Sequence, residues 1–375
     1  MQKNTAKAAV FSQVGNPLEI RDYPVTAPKG DMVLLSLKLS GICGTDNHII
    51  EARLPVPPPL IPGHEFIGTV EQIGPRAKKD GLGRSIRVGD TVIACVANPC
   101  GKCFNCRQGE TANCLHFVVT NLRDPKEAPH LFGGFAEMLY QPASTLVHVP
   151  EGLPVEAVAA FPCAGPTAIH GFGRAGGLTK GEIVVVQGTG PVGLFAIAWA
   201  KAAGCRVAAI GSASNPERMA LARRLGAEKV WDYRAGSLAD RCAEVKKWAA
   251  RYKRGDGADV VFEASGAPAA ISEGLGLVRT LGRYIVPGQY SLSGTVAINP
   301  EAITFKALTI VGSSQYALAD IKAYLIFLEK HPRLHRPFAA CITKKYCVED
   351  AVRACADASA GRAVKAVFEG SGRIS

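Results

Sequence analysis

The hydrophobic pattern divides the chain into an all-β beginning and a middle in which strands and helices alternate. Short runs of β-branched and aliphatic residues, separated by turns rich in proline and glycine, predict strands in the first part. These runs are Lys7–Ser12, Met32–Ser40, Phe66–Ile73 and Thr91–Ala94. From about Ala164 apolar strands alternate with helical patterns, which is typical of a parallel sheet covered by helices on both faces.

One uncharged run, residues 183–200, is long enough to be mistaken for a membrane span. Glycines and a proline interrupt it in the middle, so we interpret it as a strand, a turn and a helix that continues to Ala203. Its GTGPVG turn, with a further strand predicted at Arg206–Ile210, is typical of dinucleotide binding, because the glycines allow a tight turn and close approach of a pyrophosphate. Further strands are predicted at Val260–Phe262, Tyr284–Val286 and Leu308–Val311, the last ending the sheet.

Composition and charge narrow the class of protein. The 375 residues, 47% of them hydrophobic and 20% charged, are ordinary for a soluble globular protein with two cores. A net charge of +11 could suggest a nucleic-acid partner, but the basic residues are dispersed in short groups, so we expect neither a nucleic acid nor a membrane as partner. The N-terminus lacks the apolar core of a signal peptide, so we expect a cytoplasmic protein.

Four cysteines form the most specific motif in the chain, Cys100-x₂-Cys103-x₂-Cys106-x₇-Cys114. Four thiolates close a tetrahedral zinc site and leave no position for a substrate, so we predict a structural zinc. A nucleic-acid-binding zinc module is the alternative, but the loop lacks the basic and aromatic residues expected of one. The chain has twelve cysteines, and we expect those outside the metal motifs to be buried packing residues. They are Cys95, Cys205, Cys242, Cys341, Cys347 and Cys355.

A second group of metal-binding residue types lies between Gly41 and Glu65. Cys43 and His64 supply a thiolate and an imidazole, and a catalytic zinc needs only three protein ligands with one position left open. The third ligand must come from elsewhere, and Cys163 is the candidate. A lone cysteine or histidine is usually a structural residue, but here a hydroxyl, carboxylates and a second imidazole accompany them. These are Thr45, Asp46, His48 and Glu65.

With these motifs, the chain from about Ala6 to Glu369 resembles the zinc-dependent medium-chain dehydrogenase/reductase family, of the alcohol dehydrogenase type. The resemblance implies a Rossmann domain with a doubly wound parallel sheet, residues 164–313. It also implies a discontinuous GroES-like β-barrel catalytic domain, residues 1–163 and 314–375, which carries a structural zinc lobe. Two zinc ions per subunit are expected, one catalytic and one structural.

The resemblance assigns roles around the catalytic zinc, which Cys43, His64 and Cys163 are expected to hold. Zinc lowers the pKa of a hydroxyl, whose proton then needs a path to water. Thr45 is expected to relay this proton and His48 to act as the outer base, with a ribose hydroxyl of the cofactor between them; a surface imidazole is the alternative for His48. Asp46 is expected to orient His64, and Glu65 to coordinate transiently or to tune the site electrostatically.

The residues that the resemblance assigns to the dinucleotide are Thr167, Gly188, Gly190, Pro191, Val192, Gly193, Ser212, Ser214, Arg218, Val286, Gly288 and Lys365. The acidic residue that binds the adenosine ribose in NAD-dependent members aligns with Ala213, so that carboxylate is missing. We therefore favour NADP(H), although Ser214 or Asn215 could simply cap the next helix. For Lys365 the alternatives are a contact to the pyrophosphate and a surface lysine.

The predicted function is transfer of a hydride between an alcohol, secondary or cyclic by our interpretation, and NAD(P)⁺, which gives the ketone or aldehyde. A polyol dehydrogenase or a biosynthetic tailoring dehydrogenase is the alternative. A zinc-free quinone reductase is disfavoured because such relatives lack both cysteine sets, and a zinc-ribbon nucleic-acid-binding protein has no use for the Rossmann turn. A homodimer or homotetramer is expected, since in relatives the edges of the sheet pair.

Overall fold

The computed structural model describes residues 5–370. The chain divides into two compact units, which are Met1–Cys163 with Gln315–Ser375, and Ala164–Ser314. The first unit is therefore discontinuous in sequence. The division expected from the sequence differs from this one by a single residue, Ser314.

The first unit is mainly β. Its strands before the excursion into the second unit are β1 Thr5–Val10, β2 Glu19–Pro24, β3 Met32–Gly41, β4 Glu65–Ile73, β5 Thr91–Ala94, β6 Ala97–Asn98, β7 Val118–Val119, β8 Met138–Pro142 and β9 Leu146–His148. Its helices in the same part are α1 Gly44–Ile50, α2 Phe104–Arg107 and α3 Val155–Ala159. The strands predicted from the sequence are confirmed, with ends displaced by two residues at most.

The second unit alternates strands and helices. They are α4 Ala164–Arg174, β10 Ile183–Gln187, α5 Pro191–Ala202, β11 Arg206–Gly211, α6 Pro216–Arg224, β12 Lys229–Asp232, α7 Leu238–Ala250, β13 Ala258–Glu263, α8 Ala269–Leu277, β14 Val278–Val286, α9 Glu301–Phe305 and β15 Thr309–Gly312. The chain then returns to the first unit with α10 Leu318–Lys330, α11 His335–Ala339, β16 Ile342–Tyr346, α12 Ala351–Ser359 and β17 Lys365–Glu369.

A seven-stranded sheet organises the first unit, with the order β16-β17-β3-β4-β5-β9 and with β8 also paired to β3. The long strand β3 lies at its centre, and seven of its ten residues are buried. β17 pairs with β3 antiparallel near Gly41, so the end of the chain completes the sheet beside the start of α1. Phe135 and Phe368 pack edge to face in the core below, with ring centroids 4.7 Å apart.

A six-stranded parallel sheet organises the second unit, with the order β12-β11-β10-β13-β14-β15. This is the doubly wound Rossmann order, so the predicted fold is confirmed. All five residues of β10 are buried, as expected for a strand whose two faces are covered by helices. The order reverses between β10 and β13, and dinucleotides bind such sheets outside the carboxyl ends of the strands at this point.

The uncharged run at 183–200 forms β10 and α5, as predicted, rather than one helix. Among residues 5–370 we find no helix with the length and apolar character that a membrane crossing requires.

Of the cysteines predicted to be buried packing residues, Cys95, Cys205, Cys341 and Cys355 are buried. Cys347 contradicts that prediction, because it is exposed and its Sγ donates to Asp350 Oδ2 at 3.1 Å. Cys242 is half-buried.

Candidate metal centres and dinucleotide site

Cys43 is held in place by the first turn of α1. β3 ends at Gly41, and the chain turns into the helix with Cys43 at the N-cap. The Cys43 main-chain N–H donates to Asp46 Oδ2 at 2.9 Å. Asp46 is fully buried, and its other carboxylate oxygen accepts from the Gly63 N–H at 3.0 Å. One carboxylate therefore fixes the main chain beside both Cys43 and His64.

His64 receives its orientation from the same carboxylate, since its Nδ1 lies 3.3 Å from Asp46 Oδ1. An imidazole whose Nδ1 is engaged in this way presents Nε2 as the metal-binding atom. Burial disfavours the charged ring, but the charges of Asp46 and of the Cys43 thiolate outweigh it and raise the pKa of His64 well above its usual range. The role predicted for Asp46 matches this contact.

Ligand atoms of Cys43, His64, Glu65 and Cys163 all lie within 4.8 Å of one another. Cys163 comes from the far end of the first stretch of the unit, after α3. A hydrogen bond from the Cys163 thiol and the nearby charge of His64 lower the pKa of Cys43 well below its usual value, which favours the thiolate that metals bind. Two sulfurs and one imidazole nitrogen match the donor set of a catalytic zinc with one open position. We call Cys43, His64 and Cys163 the mixed donor set.

Glu65 and Lys365 form a buried ion pair beside the mixed donor set, and the side chain of each is 1% exposed. Lys365 Nζ also donates to the Ile42 carbonyl at 3.3 Å. The interpretation of Lys365 as a surface lysine is therefore wrong, because its ammonium is buried against Glu65, whereas its contact to the pyrophosphate stays a prediction. Burial raises the pKa of Glu65 to about 7, although the Lys365 charge opposes this shift.

The predicted proton-relay residues lie on α1. Thr45 Oγ1 is 3.7 Å from the Cys43 sulfur. His48 follows three residues later, a spacing that places two side chains on the same helix face. Burial, followed by the positive charge of Arg53, lowers the pKa of His48. A neutral imidazole at physiological pH is the form that accepts a proton.

The four sulfurs of Cys100, Cys103, Cys106 and Cys114 lie within 4.8 Å of one another. Gly101 and Gly109 have positive φ angles of 70° and 85°, which lets the loop turn twice around the sulfurs. Main-chain N–H groups point at the sulfurs, and those of Cys106 and Leu115 are the first of the influences that lower the pKa of Cys103 to about 6. This donor set fits a closed tetrahedral zinc. We call residues 100–114 the four-cysteine loop.

The glycine-rich turn, residues 188–193, joins β10 to α5. Gly188 has φ +99°, and its N–H donates to the Ile210 carbonyl at 2.8 Å. A Cβ on Gly193 would collide with the Gly188 carbonyl, so only glycine permits the strand and helix to approach this closely. Gly190 is the N-cap of α5, Pro191 is its first residue, and Val192 follows. The free N–H groups of such a helix start bind phosphate.

The carboxyl end of β11 carries the residues predicted to recognise the adenosine ribose. Ser212 Oγ and Ser214 Oγ are 2.6 Å apart. Arg218 lies in the first turn of α6, where its main-chain N–H donates to Asn215 Oδ1, and burial lowers the pKa of its guanidinium. The capping role considered for Asn215 is thus observed. Asp232, from the neighbouring strand β12, accepts from the Ala213 N–H at 3.2 Å, so a carboxylate lies at this end of the sheet after all.

The predicted nicotinamide residues lie elsewhere in the second unit. Val286 is the last residue of β14, and Gly288 follows it; the Gly288 N–H donates to the Glu263 carbonyl at 3.1 Å. Thr167 is on α4, which packs against β14 and β15.

Sequence reasoning missed three groups near these sites. The pairing of Glu65 with Lys365 joins residues 300 positions apart, which no local pattern can indicate. Tyr316 is 5% exposed and its main-chain carbonyl accepts from Cys95 Sγ at 3.8 Å; burial together with the charge of Cys163 raises the pKa of its hydroxyl. Asp232 was missed because its contact with the Ala213 N–H joins the ends of two neighbouring strands, which no local pattern indicates.

Two family models match the chain: an alcohol dehydrogenase GroES-like domain over residues 29–151 and a zinc-binding dehydrogenase domain over residues 191–330. The chain is 32% identical to the 5-exo-hydroxycamphor dehydrogenase of Pseudomonas putida over 97% of this chain and 98% of that protein. It is 29% identical to a sorbitol dehydrogenase of Halalkalibacterium halodurans over 96% and 98%. An alcohol dehydrogenase of Thermotoga maritima superposes with a TM-score of 0.89 at 27% identity, covering 97% and 99%.

The chain belongs to the zinc-dependent medium-chain dehydrogenase/reductase family. Within that family it is an oxidoreductase of the alcohol dehydrogenase type, which works with zinc, a nicotinamide dinucleotide and a small-molecule alcohol. The expectation drawn from the cysteine motifs and the glycine-rich turn is confirmed at this level.

Proposed function

We propose that the mixed donor set holds the catalytic zinc and that the four-cysteine loop holds a second, structural zinc. The observation that carries the proposal is the convergence of Cys43, His64 and Cys163 from three separate parts of the chain to within 4.8 Å. Packing alone does not require two thiols and an imidazole at one point, whereas a zinc with an open position does. When bound, zinc supplies a Lewis acid and the nicotinamide supplies a hydride acceptor.

The residues of this chain supply the proton path. Thr45 lies beside the Cys43 sulfur and is positioned to take the proton of a substrate hydroxyl. His48 is the next acceptor, and its lowered pKa keeps it neutral and able to take that proton. Asp46 holds His64 and the main chain of Cys43, so it positions ligands and does not itself exchange the proton.

The substrate class we favour is a secondary or cyclic alcohol. Its support is the similarity, over nearly the whole of both chains, to a dehydrogenase named for 5-exo-hydroxycamphor, a cyclic secondary alcohol. A polyol is the second candidate, because a sorbitol dehydrogenase is similar over an equal share. A cytoplasmic location without a nucleic-acid partner remains our expectation.

A panel of alcohols tests this function. We would measure the initial rate of nicotinamide reduction with primary, secondary, cyclic and polyol alcohols, each with NAD⁺ and with NADP⁺. We expect activity that a chelator abolishes and that is highest with cyclic secondary alcohols. Highest activity with polyols would select the second candidate. No turnover in either direction, with two zinc ions bound, would contradict a dehydrogenase.

For the cofactor we favour NADP(H), because no acidic side chain stands at position 213 and because the Ser212 and Ser214 hydroxyls lie there as donors. Asp232 opposes this preference, since its carboxylate occupies the Ala213 N–H and repels a 2′-phosphate. Asp232→Asn should therefore raise the ratio of NADP⁺ to NAD⁺ efficiency by about tenfold, the size of one charge-assisted contact. Asp240→Asn, at the exposed start of α7, should leave the ratio unchanged.

We propose a homodimer or homotetramer that forms through β15. This edge strand pairs with β14 only, among residues 5–370, and Ile310 in it is 44% exposed. Phe305 and Leu281 nearby are 80% and 70% exposed. An apolar edge of this kind favours pairing with a second copy. Light scattering of the wild type and of Ile310→Lys tests this, and an unchanged mass for the variant would contradict it.

A further inference from the structure

Glu263, the last residue of β13, carries a fully buried carboxylate at the carboxyl ends of the central strands. This carboxylate contacts two loops at once, the loop that follows β13 and the loop that follows β14. The second of these loops contains Gly288, which the proposed function places beside the nicotinamide. The inference below therefore rests on the proposed function.

Each carboxylate oxygen of Glu263 accepts hydrogen bonds from a different one of the two loops. Oε1 accepts from the Ser265 N–H at 2.7 Å, from the Ser265 hydroxyl at 2.6 Å and from the Gly266 N–H at 2.9 Å. Oε2 accepts from Gln289 Nε2 at 3.2 Å. The same amide nitrogen also donates to the Ala267 carbonyl at 3.1 Å. Gln289 therefore links the loop after β14 to the loop after β13.

Glycines bring the main chains around this carboxylate unusually close. A Cβ on Gly288 would collide with Glu263 Oε2, and a Cβ on Gly266 would lie 2.9 Å from the Gly288 carbonyl oxygen. A Cβ on Gly188, in the glycine-rich turn, would lie 2.8 Å from the Ser265 nitrogen. The loops after β10, β13 and β14 therefore touch one another, and the carboxylate lies under two of them.

The need for a carboxylate follows from the donors that face it. Burying an ionised carboxylate costs several kcal/mol unless hydrogen bonds compensate for the lost water. A glutamine has nearly the same shape and a smaller desolvation cost, but only one of its two terminal atoms accepts hydrogen bonds. Donors stand at both oxygens of Glu263, so only a carboxylate satisfies both loops.

We propose that Glu263 is a positioning residue that fixes the main chain at 286–289 for binding the nicotinamide end of the cofactor. It does not touch the reacting atoms. It acts by holding the loop after β14 in a fixed place relative to the loop after β13, because a small displacement of a binding group weakens both binding and reaction.

Glu263→Gln tests the proposal because it breaks one side of the network only. The glutamine oxygen keeps Ser265 and Gly266, and the glutamine NH₂ then faces the NH₂ of Gln289, donor against donor. We would titrate the purified full-length protein with reduced cofactor and with ADP-ribose, or its 2′-phosphate if NADP(H) is preferred, which lack the nicotinamide. We expect affinity for the cofactor to fall about tenfold and affinity for the truncated ligand to change less than about twofold.

The second variant, Glu263→Gln with Gln289→Glu, exchanges the two groups so that the new amide donates to the new carboxylate. We expect it to recover only part of the lost cofactor affinity, because a carboxylate at position 289 cannot donate to the Ala267 carbonyl as Gln289 Nε2 does. Glu273→Gln is the matched control, since Glu273 is also buried in this unit but accepts from Gln187 Nε2 at 2.9 Å and pairs with Arg241 at 2.5 Å. We expect the control to lower the melting temperature but to change the affinities for the reduced cofactor and for the truncated ligand by the same factor.

Two results would overturn the proposal: unchanged cofactor affinity in Glu263→Gln, or an equal loss of affinity for both ligands. Failure of the proposed function would look different. In that case the wild type itself would bind no reduced cofactor and turn over no alcohol.

Discussion

The mixed donor set and the four-cysteine loop both bring sulfur ligands together in the first unit, but their surroundings differ in how far they are exposed to solvent. Around the mixed donor set, the His64 side chain is 11% exposed and Glu65 and Lys365 are 1% exposed. In the four-cysteine loop Phe104 is 66% exposed, and Leu115, directly after the loop, is 61% exposed. One site is enclosed, and the other lies in a surface loop without a core of its own.

The net charge of each site with its proposed zinc differs in the same way as its exposure. With zinc bound as proposed, two thiolates and the buried Glu65 and Asp46 carboxylates would carry four negative charges, of which a divalent zinc and the Lys365 ammonium would offset three. Four thiolates and one zinc leave two negative charges, which is acceptable only where water and main-chain N–H groups can solvate them. The comparison teaches that burial of the first site demands a local counter-charge, whereas exposure of the second removes that demand. The following predictions test the comparison.

Cys163→Ala should remove the third ligand of the mixed donor set and leave the four-cysteine loop intact. Because Lewis-acid stabilisation is worth several kcal/mol, we expect turnover to fall by at least about 10³-fold. Bound zinc, measured by atomic emission, should fall from two ions per subunit to one. Unchanged turnover with an unchanged zinc content would contradict the assignment.

Lys365→Met should leave the Glu65 carboxylate buried without its partner. We expect the free energy of unfolding to fall by about 3 to 5 kcal/mol, as for other buried pairs that lose one member. Urea denaturation of the holoenzyme measures this. The double variant Lys365→Met with Glu65→Gln removes both charges and should recover most of the loss; equal instability of the two variants would mean that packing, not charge, is responsible.

Cys103→Ser should release the second zinc and destabilise the protein without affecting the catalytic step. We expect a loss of about 3 kcal/mol or more, because a structural zinc contributes directly to folding free energy. Thermal unfolding and zinc content measure this effect, and the rate per zinc-loaded, folded molecule should change little. A loss of turnover with unchanged stability would contradict this assignment, because it would give the four-cysteine loop a catalytic role.

Arg53→Gln should give the smallest effect, on the pH dependence of alcohol oxidation. Arg53 lowers the pKa of His48, and the rate falls when His48 becomes protonated as the pH drops. Removing the positive charge raises that pKa, so the acid limb of the kcat/KM profile should move to higher pH by a few tenths of a unit, as expected for a partly exposed charge.

Glu51→Gln is the matched control for this prediction. The Glu51 charge raises the pKa of His48, so its removal should move the same limb to lower pH. Identical shifts in both variants would mean that His48 does not govern this limb.

The sequence was most informative where function depends on local spacing. Cys100 to Cys114 lie within one loop, and Gly188 to Gly193 lie between a strand and its helix, so a single stretch of sequence contains each pattern. The strands β10 and β11 were predictable for the same reason. Cys43, His64 and Cys163 carry little signal individually, and their grouping came from the family resemblance.

Contacts between distant residues were beyond local reasoning. Nothing around Lys365 indicates Glu65, because β17 and β3 meet only in the folded sheet. Asp232 escaped notice because its carboxylate reaches Ala213 across neighbouring strands. In both cases the sheet order, and not the residue pattern, decides which side chains meet.

The discontinuous first unit has a consequence for synthesis of the protein on the ribosome. Glu65 is made 300 residues before Lys365. At about 5 to 20 residues per second, the interval between them is about 15 to 60 s. Once Cys163 has also been made, the emerging chain holds every residue of the mixed donor set but still lacks the strand that pairs with β3 and carries the ammonium. The nascent chain therefore cannot close this site around zinc in its final form until the last strand has left the ribosome.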